Sequence, residues 1–179
     1  MRADARRNRE RVLAAAEEVF GERGTTASTE EVARRAGVGI GTVFRHFPTK
    51  EALYEAIVVR RLSRLVEDAP LDSADPGGAF RDYFTRIVEL AATKKAFADT
   101  MAVVGLDVKK DVPDLGEEIR RVLADLLERA QRAGAIRPDV TPPELMVLLA
   151  GACLAADHTD DPALRTRALA VLFDGLAVR

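Results

Sequence analysis

Cysteine and histidine are scarce in this 179-residue chain, and tryptophan is absent. The single cysteine, Cys153, cannot close an intramolecular disulfide, which excludes a disulfide-stapled secreted scaffold. The two histidines, His46 and His158, lie far apart in sequence. No Ser/His/Asp or paired-carboxylate constellation accompanies them, so nothing points to catalysis. No apolar run approaches the roughly 18–20 residues of a membrane span. The first residues are charged and lack an apolar stretch, so no signal peptide is expected. Period-2 alternation is missing too, and β-branched clusters are short, so no strand is expected. Together these absences describe a cytoplasmic, non-enzymatic helical protein.

What is present is a globular composition, 47% hydrophobic and 31% charged. That much apolar content at this length can bury a core. The net charge is only −2, from 27 basic and 29 acidic residues. The average hides a gradient. Residues 1–50 hold 10 Arg and Lys against 7 Asp and Glu, whereas residues 51–179 hold 17 against 22. A basic front on an acidic body suggests a polyanion partner for one part only.

Apolar residues recur at i, i+3, i+4, the helical stripe. Val12, Ala16, Val19 and Phe20 predict a helix over about 5–23. Ser28-Thr29-Glu30-Glu31 has the spacing of a capping box and opens a short helix to about residue 35 or 36. Gly37-Val38-Gly39 stops it, and a second short helix follows over about 40–46. Pro48 and Thr49 then cap a long helix over about 50–67. Residues 69–78, APLDSADPGG, are loop chemistry. Five further helices are expected at about 77–93, 95–105, 113–134, 141–156 and 161–176. The result is an all-α, nine-helix chain without repeats. Its expected parts are a head over residues 1–49 and a body over residues 50–179, with helix 50–67 as connector.

Two short helices joined by a tight glycine turn form a helix-turn-helix pattern. Ala33 is small where the two helices cross, and Gly37 stands where the turn needs positive φ. Val38 and Val43 fill the gap between the helices, while Val32 and Phe47 reach toward Val19 and Phe20. The second helix is then free to expose Ile40, Gly41, Thr42, Phe44, Arg45 and His46 to a DNA major groove.

The string AGVGIGTVFRHFPTKEALY, preceded by TTxSxxxVA and by a helix ending VFGERG, resembles the DNA-binding region of the tetracycline-repressor (TetR-type) family over residues 9–54. The resemblance implies a double-stranded DNA operator as partner, a homodimer, and a variable body that binds a small-molecule effector. It implies that Ser28 and Thr29 touch phosphate at the start of the second helix. Ile40, Gly41, Thr42 and Arg45 would face bases, and His46 and Lys50 would grip flanking phosphates. Two positions depart from the family pattern. Phe44 replaces a usual Tyr and lacks its phosphate-bonding hydroxyl, though it can still pack on the sugar or a thymine methyl, and Gly39 replaces a common Ser and loses another phosphate contact. Arg45 is the residue expected to read guanine, because its fork matches O6 and N7. Arg2, Arg6, Arg7, Arg9 and Arg11 form a basic arm that can follow phosphate or enter the minor groove, with a solvated face of the first helix as the alternative.

The body carries no motif. Phe80, Tyr83, Phe84, Ile87, Phe97, Met101, Val104, Leu123, Leu127, Met146 and Leu149 are the candidates for an apolar effector pocket, with ordinary core as the alternative for each. Without a conspicuous buried cation among them, the expected effector is neutral and largely apolar. Leu145, Leu148, Ala152, Ala156, Leu164, Ala168, Val171, Leu172 and Leu176 on the last two helices are the candidate dimer surface, with packing inside one subunit as the alternative. Cys153 reads as core. Residues 157–161, DHTDD, read as capping rather than as a metal site, and no cofactor is expected. Gly37, Gly39 and Gly41 follow a helix and lack GxGxxG spacing, so they do not make a nucleotide loop. The reading that results is a ligand-responsive dimeric repressor released from a palindromic operator by its effector. One alternative keeps the DNA-binding head and gives the body a protein partner or a constitutive role. Another is a helical enzyme with an incidental helix-turn-helix.

Overall fold

Eight helices run through the described residues of the computed structural model. These are residues 2–23, 26–102, 113–159 and 161–178, with side chains described apart from 2–3, 93–102, 113 and 157. The helices are α1 (Arg2–Arg23), α2 (Thr29–Ala36), α3 (Ile40–His46), α4 (Lys50–Glu67), α5 (Pro76–Ala102), α6 (Pro113–Arg132), α7 (Pro142–Asp157) and α8 (Pro162–Leu176). No named strand occurs among them; Ile136 and Ala177 form an isolated antiparallel bridge.

One expectation is corrected. The helices predicted at 77–93 and 95–105 are a single helix, α5, up to Ala102. The reason is local, since no Gly or Pro stands between Gly78 and Gly105 to break it. Residues 103–105 lie outside the described part.

Helix ends follow their capping residues. Ser28 Oγ accepts from the Glu31 N–H at 3.2 Å, and the Glu31 carboxylate accepts from the Ser28 N–H at 3.2 Å. Such a cap stabilises a helix by about 1 kcal/mol. Thr49 Oγ1 accepts from the Ala52 N–H at 3.1 Å and opens α4. Glu144 accepts from the Thr141 N–H at 2.8 Å at the head of α7, and Asp161 accepts from the Ala163 N–H at 2.8 Å at the head of α8.

The chain divides into two compact units, Met1–Arg61 with Ala96–Asp107, and Leu62–Lys95 with Val108–Arg179. The first unit buries Val12, Ala16, Val19 and Phe20 of α1 with Val32, Ala33 and Val43 of the two short helices, Phe47, and Leu53, Tyr54 and Ile57 of α4. Phe20 and Tyr54 stack at 4.2 Å between centroids. Charge also ties α4 to α1. Arg60 stands 3.9 Å from Glu10 and 3.8 Å from Glu17, and Arg61 stands 3.5 Å from Glu17.

In the second unit α5, α6, α7 and α8 share a core of Phe80, Tyr83, Phe84, Leu123, Leu126, Leu127, Leu145 and Leu149, among others. Phe173 packs edge-on to Phe84 at 5.5 Å and to Phe80 at 6.4 Å. Within this apolar cluster the Tyr83 hydroxyl is buried and has no hydrogen-bond partner. Burial pushes its phenol up to about 12. In the first unit, burial and then the Glu51 carboxylate push Tyr54 up to about 12 as well.

A buried hydroxyl without a partner costs about 1–3 kcal/mol. Tyr83→Phe should therefore raise the unfolding free energy at neutral pH by about 1 kcal/mol in chemical denaturation. Free tyrosine ionises near 10, so between pH 10 and 12 the unfolded state binds fewer protons than the folded one. Stability contributed by both tyrosines is present below pH 10 and lost as pH rises through that window, and the Phe variant should lose less of it.

Candidate nucleic-acid interface

The turn between α2 and α3 is built from three parts. Gly37 adopts φ 63° and ψ 39°, the left-handed region where a Cβ is strained. Its N–H donates to Arg34 O at 3.2 Å, and the Val38 N–H donates to Ala33 O at 3.0 Å, the paired bonds of a Schellman closure. Arg11 of α1 supplies the third part, donating from Nη2 to Ala36 O at 2.6 Å and to Gly37 O at 3.4 Å. A guanidinium at a helix C-terminus satisfies free carbonyls and complements the helix dipole. A Cβ at Gly37 would also come within 2.9 Å of that guanidinium.

This turn leaves one side of α3 buried and the other bare. Val43 is fully buried between the helices. Ile40 and Phe44, one helical turn apart, are 37% and 43% exposed. Gly39, Gly41 and Arg45 are exposed, and Thr42 and His46 are half-buried. A Cβ built on Gly39 or Gly41 meets no atom within 4 Å, so the chain's own packing does not require glycine at either place.

Of the flanking residues predicted to touch phosphate, Ser28 and Lys50 have protein partners. Ser28 is half-buried and holds the α2 cap. Thr29, the first residue of α2, is also half-buried. Lys50 Nζ lies 5.7 Å from the centroids of both Phe20 and Tyr54, a cation over two ring faces. In the arm, Arg7 pairs with Asp4, Arg9 lies over the Phe47 ring at 5.2 Å, and Arg11 closes α2. Arg6 is exposed, and the side chain of Arg2 lies outside the described residues. Arg35 bonds Glu18 at 3.0 Å and Glu22 at 3.1 Å, which holds the Glu22 carboxyl below its usual range.

The structural role of Arg11 was hidden in the sequence, where it reads as one of five arm arginines. Its target lies 25 residues away, and no local pattern marks it.

The comparisons agree with this geometry. Residues 12–57 match the model of the tetR family of bacterial regulatory proteins. Residues 75–178, more than half the chain, match the C-terminal domain of SbtR-like transcriptional regulators. The chain belongs to the TetR family. It is therefore a DNA-binding transcriptional regulator, and α2–turn–α3 is its helix-turn-helix. The HTH-type transcriptional regulator UidR of Escherichia coli is 30% identical over 153 residues, covering 78% of this chain and 74% of UidR. A TetR regulator from Mycobacterium vanbaalenii is 38% identical, with TM-score 0.77 and 99% of each chain covered. Another from Streptomyces coelicolor is 36% identical, with TM-score 0.75, covering 94% of this chain and 98% of that one.

In the TetR-type body the predicted pocket residues Phe80, Tyr83, Phe84, Leu123, Leu127 and Leu149 are brought together as core, with Ile87 and Met146 half-buried beside them. Phe97, Met101 and Val104 fall outside the described side chains. The predicted dimer residues divide. Leu145, Ala156 and Leu176 are buried inside the chain, and Ala152 and Leu172 are half-buried. Leu148, Leu164, Ala168 and Val171 are exposed. Val147 and Leu154, not anticipated, are exposed as well. Among the described residues no cluster of His, Cys, Asp or Glu is gathered to hold a metal, and no helix is long and apolar enough to cross a membrane.

The two kinds of glycine should separate experimentally. Gly37→Ala should lower stability by about 1–2 kcal/mol, because αL is costly for a residue with Cβ. Gly41→Ala should hold or raise stability by up to about 1 kcal/mol, because Ala is the better helix former. Gly41→Ala should nevertheless weaken DNA binding, in denaturant melts paired with fluorescence-anisotropy titrations.

Proposed function

We propose that this regulator is a homodimeric repressor of a pseudo-palindromic operator, released by a small, largely apolar effector held in its body. The observation that carries the dimer is the uncovered face of α7 and α8. Val147 is 73% exposed, Leu154 60% and Val171 72%. The α7 sequence PPELMVLLAGACLAAD is apolar all round, so burying one side within the subunit leaves an equally apolar side outward. Gly151, Ala152, Ala155 and Ala168, small residues that let a second helix pair approach closely, line a groove of about 570 Å³ between these helices.

A two-fold dimer presents two α3 helices to successive major grooves, about 34–36 Å apart on DNA. Ile40, Gly41, Thr42, Phe44 and Arg45 are the base-facing set in this reading, with Ser28, Thr29, Gly39, His46 and Lys50 at the flanks. The body over residues 50–179 then acts through α4, which begins in the first compact unit and ends in the second. An effector works only by its differential affinity for the two states of that helix. The apolar character of the effector is supported by the buried set of the body, which among the described residues contains no charged side chain. No residue is assigned a catalytic role, and a regulator of this kind works in the cytoplasm.

The close aromatic packing of Phe80, Phe84 and Phe173 favours a second reading, a body that keeps its shape without a small molecule and regulates through a protein partner. Selecting bound duplexes from a random pool with the full-length protein, together with its mass by light scattering, tests the proposal. The expected result is a two-fold symmetric motif and a mass of twice 19.5 kDa. A monomer on an asymmetric site contradicts it. Leu154→Arg with Val171→Asp should give a folded monomer that binds the selected duplex far more weakly. Arg45→Ala should cost about 1–3 kcal/mol and relax one base position per half-site. A loss spread equally over all operator variants would count against base reading.

A further inference from the structure

The outward face of α3 holds more apolar surface than phosphate binding requires, and its meaning depends on that face being the DNA-reading surface. Among the described residues, the exposed large hydrophobic side chains of the first unit are Ile40 and Phe44; all others in the chain lie at residue 147 or beyond. They sit four residues apart, so they share one stripe of the helix. Arg45 forms the neighbouring stripe with Gly41. Val43 alone of this helix is fully buried, whereas Ile40 and Phe44 each leave more than a third of an apolar side chain uncovered by the fold. The fold does not require glycine beside them, since a Cβ at Gly39 or Gly41 would stand in open space. Phe44 has no hydroxyl to offer a phosphate.

On the edges of base pairs in the major groove, the one apolar group is the C5 methyl of thymine. We propose that Ile40 and Phe44 read thymine methyls, so that each operator half-site pairs a guanine facing Arg45 with thymines facing the apolar stripe. Bare glycines at 39 and 41 let the helix come close enough for van der Waals contact. Four residues of helix rise about 6 Å, and base pairs stack about 3.4 Å apart, so the two contacted methyls stand within about two base steps of each other.

The test replaces thymine by uracil, which deletes the methyl and keeps every hydrogen-bonding group. A duplex selected from a random pool by the full-length protein is resynthesised with deoxyuridine at one thymine position of each half-site at a time. Binding is measured by fluorescence anisotropy with the unaltered protein, Ile40→Ala and Phe44→Ala. Both side chains are exposed, and a melting curve for each variant confirms that it folds. The expected result is binding weakened about fourfold per half-site at one or two thymine positions, the factor that burying one methyl carries. At each such position the uracil effect disappears in one of the two alanine variants. Tight binding with no uracil effect at any position overturns methyl reading and leaves DNA reading in place. A uracil effect that persists in both alanine variants overturns the assignment to this pair. Failure to select any duplex overturns the DNA-reading surface itself, and this inference with it.

Discussion

Everything the head presents to DNA depends on how α2 is closed. The last carbonyls of a helix must find donors, and here they find them from three directions. Gly37 turns left-handed, the backbone bonds from Gly37 and Val38 fold back on Arg34 and Ala33, and Arg11 reaches across from α1 to Ala36 O at 2.6 Å. The chain direction after the turn, and so the face that α3 turns outward, follows from that closure. Val43 then locks the helix by filling the gap beneath it. The outward face carries the exposed side chains of Ile40, Phe44 and Arg45.

The same economy explains how charge is used. Residues 1–50 carry a surplus of basic side chains, yet many of these serve the protein itself. Arg23 bonds Glu31 at 2.7 Å, Arg35 bonds Glu18 and Glu22, Arg9 covers Phe47, and Lys50 covers the Phe20–Tyr54 stack. A head that neutralises few phosphates binds DNA weakly on its own, because each neutralised phosphate contributes through counterion release. In the proposed homodimer two heads on one symmetric site would multiply that contribution, and the uncovered apolar side of α7 and α8 would pair them.

What could be read from the sequence was what is decided locally. The Ser28–Glu31 cap, the backbone of the Gly37 turn, Thr49 at the start of α4 and the limits of α2 and α3 depend on residues within five positions of one another. Periodicity separates a helix over 95–105 from its predecessor, yet Ala91-Ala92-Thr93-Lys94-Lys95 contains no breaker, and α5 continues through it to Ala102. Tertiary choices beyond the packing of Val32, Val43 and Phe47 in the head were not readable. Arg11 looks like an arm residue until α2 is folded beside it. In α7 both faces are apolar, so periodicity could not distinguish Leu145 and Ala156, which are buried, from Val147 and Leu154, which are exposed. Pocket and core share one residue chemistry in Phe80, Tyr83 and Phe84, and the lone polar atom among them, the Tyr83 hydroxyl, gives no pattern in sequence.

The central claim is that the exposed side of α3 enters the major groove with Arg45 at a guanine. Dimethyl sulfate interference on a selected duplex tests it most directly, because the reagent methylates guanine N7 in the major groove. The account predicts that methylation of one guanine in each half-site blocks binding by the unaltered protein, and that Arg45→Ala becomes indifferent to that guanine while still binding the duplex. Interference confined to minor-groove adenines, or a pattern unchanged by Arg45→Ala, would contradict it.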